Sequence, residues 1–168
     1  MKKNKVTIKI EVGKVVIALS GDASKLKDWP HLWYQPFISQ KKADIFLDIY
    51  CQSPGFSYNH KLVFDAGSHW KLYSDRANYY MEMFSPTPPH YKVNVGVFNS
   101  DFTRGKIYLL KGNKSDTAQK YWSVVNCSRP FLTILLNNYL SPRNSLMAHG
   151  LAVNDQGKGL IFVGASGA

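Results

Sequence analysis

The sequence predicts an α+β fold. A mostly antiparallel β-rich region, 1–127, leads into one helix and a closing β-hairpin. Three observations carry this. Short segments alternate apolar and polar residues and are separated by turn residues. A single run, Phe131, Leu132, Leu135, Leu136 and Tyr139, has helical spacing. Two apolar runs, 145–153 and 159–163, flank the turn-forming stretch NDQGKG.

The elements follow in order. Val6, Ile8 and Ile10 alternate with Thr7, Lys9 and Glu11, and Gly13-Lys14 separates them from a second β-branched run, which reads as a hairpin. Residues 21–42 are irregular and rich in rings: Trp29, Trp33, Tyr34 and Phe37, with Pro30 and Pro36. This cluster reads as a loop packed over a sheet, and less readily as a surface for stacking bases. Alternation returns over 43–50, 61–65, 69–74, 78–84, 91–98 and 105–110. Asp65-Ala66-Gly67, Ser74-Asp75, Ser85-Pro86 and Asn99-Ser100-Asp101 supply the turns between them. Ser128 is placed to cap the helix with Pro130 in its first turn, and Ser141-Pro142 ends it. In the closing hairpin, Gly157 and Gly159 are assigned positive φ, and the apolar strand Leu160–Val163 has the composition of a strand buried on both faces.

Composition narrows the function classes. Of 168 residues, 45% are hydrophobic and 14% aromatic, enough for a core. Twenty-one basic against 11 acidic residues give a net charge of +10, which favours polyanionic partners or simply a basic surface. The densest basic stretch, Lys2, Lys3, Lys5, Lys9 and Lys14, is broken by apolar residues. Cys51 and Cys127 form no CxxC, and His60, His69 and His90 lack ligand spacing, so no metal site is expected. Asp44, Asp48, Asp65, Asp75 and Asp101 fall at strand ends and turns, without a pairing for acid–base work. Glu11 and Lys14 interrupt the N-terminal apolar stretch, and 131–136 is too short to span a bilayer. The expectation is a cytoplasmic protein without a membrane partner.

The candidate site lies at the end of the chain. A phosphate-binding loop follows a buried strand and reads G-x-x-x-x-G-K-[ST], because glycines let backbone N–H groups converge on phosphate oxygens while lysine and hydroxyl reach the γ-phosphate and Mg²⁺. Gly164 fits the first glycine, and Ala165, Ser166, Gly167 and Ala168 fill the four variable positions. GASGA is not a nucleophile elbow, since the position two after Ser166 is Ala168 rather than glycine. His149 stands fifteen residues before Gly164, where a hairpin would return it beside the loop. An imidazole there could orient an acceptor or stabilise charge; its bland alternative is a structural histidine.

The stretch from His149-Gly150-Leu151 through the glycine turn to Gly164-Ala165-Ser166-Gly167 resembles the hairpin and P-loop of HPr kinase/phosphorylase and related kinases of the phosphoenolpyruvate-carboxykinase-like group. The specific resemblance covers 145–168, with similar layout back to about 128. It implies that 128–168 begins a nucleotide-binding domain and that His149 is an active-site residue. It also implies that Gly164 to Ala168 open an ATP phosphate loop, with ATP and Mg²⁺ as cofactors of a longer form. The phosphate acceptor would be a protein serine or a small hydroxyl compound. The P-loop lysine and its Ser/Thr do not occur here, so the chain alone is expected to be inactive, as an N-terminal fragment ending inside the loop. Two other classes compete with this reading. A non-enzymatic basic β-rich module would bind protein or nucleic acid, although no basic run supports nucleic acid. A different P-loop enzyme, such as a nucleotide hydrolase, would usually place its loop after the first strand of its domain.

Overall fold

The computed structural model describes residues 5–24, 32–56, 60–85, 90–111, 124–148 and 150–164. Ten strands, one α-helix and two 3₁₀ turns follow in order: β1 (Lys5–Val12), β2 (Val15–Asp22), a 3₁₀ turn (Leu32–Phe37), β3 (Ile45–Tyr50), β4 (Lys61–Asp65), β5 (Trp70–Ser74), β6 (Asn78–Phe84), β7 (Lys92–Asn99), β8 (Arg104–Leu109), α1 (Val124–Leu140), a 3₁₀ turn (Ser141–Arg143), β9 (Leu151–Asp155) and β10 (Lys158–Phe162). The first eight strands form one sheet in the order β1-β2-β3-β8-β7-β6-β5-β4, while β9 and β10 form a separate hairpin.

The large sheet is mixed rather than uniformly antiparallel. β3 lies parallel to both β2 and β8, and the other pairings are antiparallel. The reason is in the connections. Tight turns join β1 to β2 and β5 to β6, but the long segment 23–44 carries the chain from the end of β2 back to the start of β3, which makes those two strands parallel. β3 then sends the chain to the far edge, and β4 to β8 meander back until β8 lands beside it.

Cross-strand partners share a face, so the register identifies the core side. Ile10, Ile17, Ile45 and Leu47 belong to it, continuing through Ile107, Leu109, Phe98 and Met81, all almost fully buried. The helix packs onto this side. Phe131, Leu135, Leu136 and Tyr139 are buried and Leu132 is half-buried, as the stripe in the sequence requires. The Phe131 ring lies 5.6 Å from Phe98. It fits there because β7 carries Gly96: a Cβ at that position would stand 2.4 Å from Phe131 Cζ.

The helix starts earlier than its cap signal suggests. It begins at Val124, so Ser128 lies inside it and is not the N-cap. Pro130 then leaves the Asn126 carbonyl without its usual intrahelical donor. Packing of Phe131 to Tyr139 outweighs that single lost bond. At the other end, Asn144 adopts a left-handed conformation with φ 54°. Arg143 donates to the Tyr139 carbonyl at 2.6 Å and lies over the Tyr139 ring at 3.8 Å. It thus satisfies the last turn of the helix.

The two sheet edges are protected differently. Beside β1, Ile10 bridges to Ile38 and the Ser39 N–H donates to the Lys9 carbonyl, so a loop covers the strand. In β4, the register shifts between Leu62 and Phe64, a bulge that bends an open edge.

Candidate nucleotide-binding hairpin

The hairpin is built by a two-residue turn. Gln156 and Gly157 both have positive φ, 48° and 83°, the combination that matches the twist of flanking strands. Gly159 does not share it. It sits in β10 opposite Asn154, so the second left-handed residue is Gln156. The Asn154 side chain accepts the Gly157 N–H at 3.0 Å and closes the turn. The ladder then pairs Lys158 with Asp155, Leu160 with Val153, and Phe162 with Leu151.

The apolar strand is uncovered. Ile161 is 67% exposed, Phe162 58% and Val163 69%, and Leu160 and Val153 are exposed as well. The composition of a doubly buried strand is thus present without the burial. Gly164 follows directly and has open space around its Cα. The other proposed site residues, His149 and Ala165, Ser166, Gly167 and Ala168, lie outside the described residues.

One close approach in this region has no counterpart in the residue pattern. Gly150 approaches β10 so closely that a Cβ on it would stand 2.6 Å from the Phe162 carbonyl oxygen. The only signal in the sequence was a glycine directly after the candidate histidine.

Elsewhere, charged groups serve the fold. Asp44 accepts the Val16 N–H at 2.8 Å, and Asp48 pairs with Lys5 at 2.7 Å. This second pair sits in a depression of about 210 Å³ at the carboxyl ends of β2 and β3, lined also by Ser20, Asp22, Tyr50 and the half-buried Cys51. Asp65 pairs with Lys71 at 2.9 Å. Glu82, nearly buried, is held by Lys92 and the Tyr73 hydroxyl. Asp75 accepts the Ala77 and Asn78 N–H groups and the Tyr80 hydroxyl, and so fastens the β5–β6 turn. His60 stacks on Tyr80, and His90 Nδ1 lies 2.8 Å from the Ser85 carbonyl. Among the described residues, no group of three or more His, Cys, Asp or Glu side chains could hold a metal ion. No helix among them is long and apolar enough to cross a membrane.

These contacts set a pH dependence. The Lys41 ammonium holds the Glu11 carboxyl below its ordinary value of 4.5. Lys71 lowers Asp65, the Asn78 backbone N–H lowers Asp75, and the Thr103 hydroxyl lowers Asp101, each from an ordinary 3.8. A lowered carboxyl stabilises the fold above its unfolded-state value, and that stability is lost as pH falls through the folded-state value. The melting temperature should therefore feel no loss from these groups between pH 7 and about 5, then fall below about pH 4. Asp75→Asn should flatten that acid limb in a thermal melt series. An unchanged limb would remove Asp75 from this account.

No family model, curated protein or solved structure matches the chain.

Proposed function

We propose that the chain is the N-terminal part of an ATP-dependent kinase of the HPr-kinase-like P-loop group, transferring phosphate to a protein serine or a small hydroxyl acceptor. The observation that carries the reading is the closing hairpin: an uncovered strand whose last three residues, Leu160, Ile161 and Phe162, are apolar and lead through Val163 into Gly164. In this reading the exposed faces of β10 are interior surface of a nucleotide domain completed by further chain, and Gly164 opens its phosphate loop. In this reading His149, fifteen residues before Gly164 in the sequence, belongs to the same site. There its imidazole could orient the acceptor hydroxyl or stabilise charge near the phosphates.

MgATP would supply the transferred phosphoryl group and the metal's charge. Of the residues proposed to hold it, only Gly164 is described. It offers one backbone N–H; the lysine and the metal-binding hydroxyl of the motif are not in the sequence. No step is therefore assigned to the bound nucleotide. The alternative is a non-enzymatic basic module for protein or nucleic acid; of the rings read as a stacking surface, Phe37 is exposed, while Trp29 lies outside the described residues.

Sequencing the reading frame past Ala168 is the first test. Gly-Lys followed by Ser or Thr, together with MgATP binding by the complete product, is the expected outcome. A continuation without lysine would exclude phosphoryl transfer at this loop.

A further inference from the structure

The outer face of the large sheet, turned away from α1, gathers cations that lie far apart in the sequence. On it the register aligns Lys9, Ala18, Phe46 and Arg104 in one row across β1, β2, β3 and β8. In the next row Lys106 stands beside Asp48. With strands about 4.8 Å apart, Arg104 is one strand from Phe46, and Lys9 is two strands away on the other side, about 10 Å. Phe46 is 42% exposed, and the Arg104 guanidinium lies over its ring, 5.3 Å from the centroid. Arg104 and Lys106 are exposed as well. Among the described residues the ion pairs use Lys5, Lys41, Lys71 and Lys92, and none of Lys9, Arg104 and Lys106 meets a carboxylate. The Lys9 ammonium donates to the Gln40 and Lys41 carbonyls instead, which leaves its charge uncancelled. The depression that holds the Lys5–Asp48 pair lies on the same face, beside this patch.

We propose that this face binds single-stranded nucleic acid: a base stacks on the Phe46–Arg104 pair, and Lys9 and Lys106 take phosphates on either side. Unpaired bases stack on aromatic rings and on guanidinium planes, while cations along the platform neutralise the backbone. Charge alone would admit any polyanion; the exposed ring under a guanidinium selects one that carries flat apolar faces. An acidic peptide would be held through its carboxylates and leave the ring unused. A membrane surface would need several exposed apolar side chains beside the cations, whereas the neighbouring row is Thr7, Ser20, Asp48 and Lys106. A duplex keeps its base faces stacked on one another, so only a single strand offers them. No basic run announces the site in the sequence, because strand pairing, not adjacency, brings Lys9 to the side of Phe46 opposite Arg104. Nothing in it involves Gly164 or the closing hairpin, so it stands whether or not the chain is part of a kinase.

The test titrates the 168-residue chain into labelled oligouridine and oligothymidine of about 12 nucleotides, within the site sizes of such surfaces, and follows fluorescence anisotropy. A DNA duplex and an oligoglutamate of matching charge are run beside them, and phosphatidylserine vesicles by co-sedimentation. Each titration is repeated with Ile161→Lys and Val163→Glu in place, so that self-association through the hairpin is not read as binding. At least one of the single strands should bind, more tightly than the duplex or the oligoglutamate at equal salt. Phe46→Ala and Phe46→Leu should weaken it about fivefold or more without changing the salt dependence, while Phe46→Trp should retain the affinity. The leucine variant keeps the bulk of the side chain, so a folding defect in the alanine variant does not decide the result. Lys106→Gln should reduce the slope of log K against log salt by about 0.7, and Lys61→Gln, at the far edge in β4, should leave it unchanged. Failure of both single strands to bind overturns the proposal, as does affinity indifferent to Phe46→Leu. Equal binding of the oligoglutamate, or capture by the vesicles with the same loss in the Phe46 variants, also overturns it and assigns the face to an acidic protein or a lipid surface.

Discussion

Gly96→Val is expected to destabilise the chain by about 3 kcal/mol or more, measured by chemical denaturation, against a total stability on the order of 5–15 kcal/mol for domains of this kind. The added Cβ alone would stand 2.4 Å from Phe131 Cζ and 2.7 Å from Phe98 Cε2. Both rings are fully buried, so neither can swing into solvent. Phe98 is also confined from β8, where a Cβ on Gly105 would stand 2.4 Å from its Cδ1. The two glycines therefore form a socket, with Phe98 between them and Phe131 above, and the helix seats through that socket. Any side chain at 96 must lift α1 from the sheet or force Phe98 off its rotamer. Phe131→Leu in the same molecule should restore part of the loss, because it shortens the group that the new side chain meets. The two substitutions should thus be less harmful together than the sum of their separate effects. A Gly96→Val variant within 1 kcal/mol of wild type would mean that α1 does not seat on β7 as described.

The second large effect concerns the hairpin. The 168-residue chain should self-associate at micromolar concentrations, and Ile161→Lys combined with Val163→Glu should return it to a monomer. Ile161, Phe162 and Val163 are each more than half exposed, at the end of a strand that, among the described residues, pairs with β9 alone. A short apolar edge with no charge among Leu160 to Val163 is a template for further strands. β1 and β4 escape this hazard by a covering loop and a bulge; among the described residues β10 has neither device. The readout is the sedimentation distribution of both proteins across a concentration series. A monodisperse wild-type chain would contradict the prediction, and an aggregated double variant would move the sticky surface elsewhere.

How much of this was legible depended on whether the signal was local. Strand positions were, because alternation is local: β4 and β6 occupy the residues the pattern assigned, and β1, β2, β3, β5, β7 and β8 differ from it by a residue or two at their ends. The stripe Phe131 to Tyr139 likewise named the face of α1 that is buried. The start of the helix was misplaced, because Ser and Pro mark helix beginnings only statistically, while the packing that holds this helix lies beyond them. Gly159 was misassigned for a similar reason. Two glycines flank Lys158, and only the strand register decides which of the candidate turn residues lies at the corner. The candidate site divides the same way. GASGA and the histidine could be read as residue types at a spacing, but the approach of Gly150 to the Phe162 carbonyl is a distance between strands that no residue type announces.

By itself the sequence determined the kinds of element and their order, the buried stripe of α1, and the turn chemistry that closes β1 onto β2 and β9 onto β10. Those properties follow from backbone preference and side-chain periodicity within a few residues. Only the tertiary structure decided that the sheet is mixed, that β8 inserts beside β3, that Gly96 and Gly105 form the socket for two phenylalanines, and that the apolar strand before Gly164 lies uncovered. Each of these depends on which distant segment comes to rest against which, and that is settled by the burial of whole faces, not by any local run of residues.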